Sequence, residues 1–157
     1  MKNFKYILGI LFLAVTISCN DKLAETNHST LTPDFFSTVT GFSDGLNAAY
    51  AGFRSIYGRE EGLHALTNEG CDEMRTSKSN RTTSLTDYAS DFTSSQESLS
   101  NLWNNAYQQI NTCNGLIDDS TQLTGISDAD KKEMLGEAKF LRAQYYFLLV
   151  QTFGDVT

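Results

Sequence analysis

The sequence predicts an all-α fold on three observations. Apolar residues recur at steps of three and four along three separate stretches, the spacing that lays a stripe on one face of a helix. Cap and stop signals bracket these stretches: Thr40 precedes the first, Gly58 follows it, and Ser127 or Asp128 opens the third. The third stretch also carries apolar residues on opposite sides, as a helix does when it has neighbours on both, like a middle member of a stacked array.

Residues 1–18 stand outside this fold. Lys2 and Lys5 form a positive start, Ile7 to Ile17 is an apolar run of secretory length, and small Ser18 precedes Cys19. The run is too short to span a bilayer comfortably. A Cys directly after a small residue resembles a bacterial lipobox, although Thr16 stands where that pattern prefers Leu. Cys19 is therefore the expected site of lipidation, and its acyl chains would bind membrane at about 0.8 kcal/mol per buried CH₂. Residues 19–32 follow as a polar, turn-prone tether.

Pro33 to Phe36 is expected to be a short extended or turn segment. The first helix is expected from about Gly41 to Ile56, with Phe42, Leu46, Ala49, Tyr50 and Phe53 as its stripe. Residues 59–97 show no sustained period of either kind, and a connection of that length inside a compact protein is usually functional or disordered. The second helix is expected over about Ser98–Asp118, with a stripe of Leu99, Trp103, Ala106, Ile110, Cys113 and Ile117, widened by Leu102 and Tyr107; that place makes Trp103 a core residue. After a turn over 119–125, the third helix carries Met134, Ala138, Leu141, Tyr145, Leu148 and Thr152 on one side. Phe140, Phe147 and Val150 occupy the other.

With 157 residues, 40% of them hydrophobic, the chain fits one small domain with its own core. A formal charge of −7 and the lack of a basic patch argue against nucleic acid as a partner. His28 and His64, the only histidines, form no ligand spacing with a cysteine or with each other, so no metal is expected. Nothing in the spacing of Cys71 and Cys113 demands a disulfide. Asp72 and Glu73 are adjacent on a loop, whereas a glycosidase needs two carboxylates facing each other across the scissile bond. No nucleophile elbow, phosphate loop or zinc motif is present.

Gly136-Glu137-Ala138-Lys139-Phe140-Leu141-Arg142-Ala143, then Tyr145-Tyr146-Phe147-x-Leu149 and Phe153-Gly154-Asp155-Val156, closely resemble the signature of the SusD/RagB family of outer-membrane lipoproteins. Trp103-x-x-x-Tyr107-x-x-Ile110-x-x-x-Asn114 is similar to the helix upstream of that signature. The resemblance implies a tetratricopeptide-like array of helix pairs, although no repeat of about 34 residues is visible here. It implies a binding protein without catalytic residues or cofactor, lipid-anchored on the outer face of the outer membrane. The implied partner is a SusC-like TonB-dependent barrel transporter, and the implied cargo an oligosaccharide or, in some members, a peptide. A surface hydrolase is the remaining alternative.

Sugars are held by aromatic platforms that stack on the less polar ring face and by polar side chains that bond the hydroxyls. The loop offers Tyr88 and Phe92 as platforms, with Arg75, Arg81, Asp87 and Asp91 as hydroxyl partners. The family pattern runs on from Gly-Asp-Val into Pro and much further chain, whereas this sequence stops at Thr157. It is therefore expected to be the N-terminal portion of a SusD-like protein, with helices beyond it covering Phe140, Phe147 and Val150.

Overall fold

The computed structural model describes residues 33–58, 62–75, 83–88 and 92–157. The leader, Cys19 and the tether lie outside these, as do Arg81 and Asp91. Among the described residues every element beyond an isolated bridge is helical, as the periodicity predicts.

Helix α1 (Pro33–Phe36) is a single turn where an extended or turn segment was expected. Proline suits a first helical position, where a backbone N–H would lack a partner in any case. Thr38, not Thr40, caps α2 (Val39–Tyr57). Its hydroxyl donates to the Phe35 carbonyl at 2.7 Å and accepts from the Gly41 N–H at 3.0 Å, so one side chain closes α1 and opens α2. At Gly58 the last turn ends with the N–H donating to the Arg54 carbonyl at 3.0 Å.

The long loop expected over 59–97 contains α3 (Leu63–Asn68) and α4 (Thr83–Asp87). With six and five residues, neither completes the two turns that make a helical period visible. Each nevertheless buries an apolar residue, Ala65 in α3 and Leu85 in α4.

The core lies between α2, α5 (Glu97–Asp119) and α6 (Asp128–Phe153). Phe42, Leu46, Ala49 and Ile56 of α2 meet Leu102, Ala106, Ile110, Cys113 and Leu116 of α5. Ala138, Leu141, Tyr145, Leu148 and Leu149 of α6 complete it. The α6 stripe read from the sequence is thus the buried one from Ala138 to Leu148. On α5 the buried face is rotated: it centres on Leu102, Ala106, Gln109, Cys113 and Leu116, and Trp103, expected in the core, is 41% exposed. Buried Ser98 and Gln109 interrupt the apolar pattern of the true face, which is why the neighbouring line looked more continuous. Tyr50, placed on the α2 stripe, is likewise exposed.

Close approach of the helices depends on α2 glycines. A Cβ on Gly45 would lie 2.7 Å from Leu116 Cδ2, and one on Gly52 would lie 2.5 Å from Gln109 Cγ and 2.6 Å from the Tyr145 hydroxyl oxygen. Tyr145 uses the space so left: its hydroxyl donates to the Ala49 carbonyl, and its ring stacks on Phe53 at 4.5 Å and 8°. Burial pushes the Tyr145 phenol well above its ordinary range, with Cys113 and Tyr57 adding to it.

Ser127 starts α6 by accepting from the Asp130 N–H at 3.2 Å while donating to the Asp130 carboxylate at 2.7 Å. Gly154, at φ 80°, ends it. Cys113 is buried and Cys71 exposed, both as free thiols, and burial raises the Cys113 thiol against an opposing pull from Arg142. No helix among the described residues is long and apolar enough to cross a membrane.

Candidate functional site

Four of the six loop residues singled out from the sequence are described, and the fold gathers them in two pairs. A turn follows α3, in which Met74 N–H donates to the Cys71 carbonyl at 3.4 Å, and this presents Arg75. Helix α4 ends at Asp87. Arg75 Nη2 donates to Asp87 Oδ1 at 3.2 Å, with both side chains exposed. An exposed pair of this kind contributes only about 0–1 kcal/mol to stability, and its donors and acceptors stay open to solvent or ligand.

Asp87 leads directly into Tyr88, whose backbone adopts φ 47°. Aromatic residues rarely take this left-handed conformation, which costs on the order of 1–3 kcal/mol and persists where surrounding contacts hold it. Those contacts are visible: the Tyr88 hydroxyl donates to the Gly70 carbonyl at 3.3 Å, and its ring meets Phe92 edge-on at 6.0 Å and 88°. Gly70 itself sits at φ 81°, and a Cβ there would lie 2.5 Å from the Leu85 carbonyl oxygen and 2.7 Å from the Tyr88 hydroxyl. Only glycine gives the conformation and the space together. Tyr88 remains 66% exposed and Phe92 43%.

The surface so built is a corner of two perpendicular aromatic rings beside a guanidinium–carboxylate pair. It offers an apolar face, charged donors and charged acceptors to one ligand. Asp72 and Glu73, also exposed, lie on the turn between Cys71 and Met74.

Sequence reasoning missed an exposed aromatic on α5. Trp103 packs against Tyr107 with ring centroids 4.8 Å apart and meets Phe153 perpendicularly at 5.0 Å, yet the residue stays exposed. The signal that would have found it is Leu102 with Leu116: placing these two on the buried face turns Trp103 toward its edge.

Among the described residues, then, an all-α unit carries an exposed aromatic and polar loop. The sequence pattern of SusD-like proteins, a family described as starch-binding and associating with the outer membrane, matches residues 23–157, and the chain belongs to that family. It is similar to SusD-like protein P25 of Formosa agariphila, with 24% identity over 164 residues that cover 99% of this chain and 31% of that protein. The chain thus spans less than a third of the length of that relative. No solved structure matches it.

Proposed function

We propose that this protein captures oligosaccharides at the outer membrane and hands them to a SusC-like TonB-dependent barrel transporter, without making or breaking bonds in them. Acyl chains on Cys19 hold it at the outer surface, and residues 19–32 tether the helical body. The observation that carries the reading is the exposed Tyr88–Phe92 corner beside the Arg75–Asp87 pair, in a chain whose family is described as starch-binding. A pyranose stacks its C–H face on an aromatic ring, and its hydroxyls bond to charged groups more strongly than to neutral ones. Arg81 and Asp91 add donors and acceptors to the same loop.

The test is calorimetric titration of the protein with maltohexaose, an α-glucan oligosaccharide chosen from the family description. Binding is expected, with at least a tenfold loss in Tyr88→Ala and recovery of the sugar unchanged. Heat from an unrelated peptide pool and none from the sugar would transfer the cargo to peptides; shortening of the sugar would make the protein a hydrolase. The anchor is tested separately by labelled palmitate, which should mark the parent protein and not Cys19→Ala.

A further inference from the structure

We infer that the groove beside Trp103 is a second sugar subsite, separate from the loop corner, with the exposed indole as its stacking platform. This inference rests on the glycan reading above and adds to it a place and a ligand chemistry. The groove holds about 490 Å³ and is lined by Ser94, Leu99, Ser100, Trp103, Asn104 and, from the end of α6, Thr152 and Phe153. That volume falls within the range of about 300–1,000 Å³ typical of small-ligand sites.

Two properties of the lining select the ligand. The first is an aromatic surface held in place: Tyr107 and Phe153 contact the indole at 4.8 and 5.0 Å and fix its orientation, while 41% of the residue stays exposed. A preorganised ring loses little freedom when a flat apolar face settles on it. The second is a rim that is polar but uncharged. The side chains of Ser94, Ser100 and Asn104 make no hydrogen bond to other described residues, and Thr152 spends its hydroxyl hydrogen on the Leu148 carbonyl at 2.9 Å, which leaves its lone pairs free. Hydroxyls and an amide both donate and accept, as sugar hydroxyls do. Among the described residues no charged side chain lines the groove, so a phosphate, a carboxylate or an ammonium group finds no counter-charge among them. A neutral pyranose satisfies both the platform and the rim. Ser94 also lies two residues beyond Phe92, so the segment bearing the loop corner runs directly into this groove.

Trp103 is the one tryptophan in the chain, so its fluorescence reports this groove alone. Maltohexaose would be titrated into the protein while heat and acrylamide quenching of Trp103 are followed together. The quenching constant should fall about twofold, with the same midpoint as the heat. Trp103→Ala should weaken binding about tenfold. Trp103→Phe, which keeps a platform, should retain most of the affinity. Asn104→Leu, at an exposed position that leaves the core untouched, should weaken binding through the rim. Heat of binding with Trp103 quenched as freely as before would overturn the subsite and leave the loop reading standing. So would Trp103→Ala and Asn104→Leu variants that bind as tightly as the parent. Absence of any heat would overturn the glycan reading itself, and the subsite with it.

Discussion

Arg142 of α6 donates to the side-chain carbonyl of Asn114 of α5 at 2.8 Å, joining two half-buried polar residues 28 positions apart. Both belong to the segments that carry the family resemblance, and both flank the buried Cys113, whose thiol feels the guanidinium. A charged hydrogen bond contributes about 1.5–3 kcal/mol, and leaving either partner half-buried without the other costs desolvation as well. Arg142→Ala and Asn114→Ala should each lower unfolding free energy by about 1–3 kcal/mol. The double variant should lose clearly less than their sum. Strictly additive losses in urea titrations would mean that the bond carries no coupling.

Gly52 and Gly115 make opposite predictions from the same substitution. Helix propensity alone favours alanine over glycine by about 1 kcal/mol at an interior position. At Gly115 nothing lies within 4 Å of an added Cβ, so Gly115→Ala should stabilise by about 0.5–1 kcal/mol. At Gly52 the methyl would press into Gln109 and the Tyr145 hydroxyl, and overpacking costs about 1–3 kcal/mol. The clash exceeds the propensity gain, so Gly52→Ala should melt lower than the parent. Equal shifts for the two variants would show that α2 and α5 are not so close.

Tyr145 ties stability to alkaline pH. Its folded pKa is raised above the unfolded value of about 10, because burial, with Cys113 and Tyr57 adding to it, favours the neutral phenol. The stabilisation is therefore complete below about pH 10 and declines as pH rises from there toward the folded pKa, by at most about 1.4 kcal/mol per unit for one proton. Cys113, raised from 9.0, begins the same decline slightly lower. Tyr145→Phe should cost about 0.5–1.5 kcal/mol near neutrality and unfold with a shallower alkaline slope. Parallel curves for the two proteins would remove Tyr145 from the account.

Legibility tracked length and patterning. Helix α6 runs 26 residues from a serine cap, and its buried face could be read directly, because Ala138, Leu141, Tyr145 and Leu148 form one uninterrupted line. Helix α5 is nearly as long, but Ser98 and Gln109 lie on its buried face, so periodicity chose a line about one residue away and took Trp103 inside. The three short helices had too few turns to declare themselves. At the loop site the residue types were legible and their arrangement was not. Arg75 and Asp87 lie twelve positions apart and meet only in the fold, and the positive φ of Tyr88 follows from Gly70 and Phe92 around it.

Adjacent residues on α6 supply the last prediction. Leu141 is fully buried and Phe140 is 63% exposed, so the apolar residue that matters for folding is the smaller of the two. Leu141→Ala should cost about 2–5 kcal/mol, comparable to the net stability of a small domain. Phe140→Ala should change stability by no more than about 0.5 kcal/mol. Its effect lies elsewhere. Phe140, Phe147 and Val150 follow one another at steps of seven and three, which sets them on a single exposed line of α6, and a contiguous apolar patch of this kind promotes association. In sedimentation the parent should self-associate as concentration rises, and Phe140→Ala with Phe147→Ser should sediment as a monomer under the same conditions. If that double variant associated like the parent, this face would not be the one that makes contact; if Phe140→Ala melted like Leu141→Ala, the inner and outer sides of α6 would be exchanged.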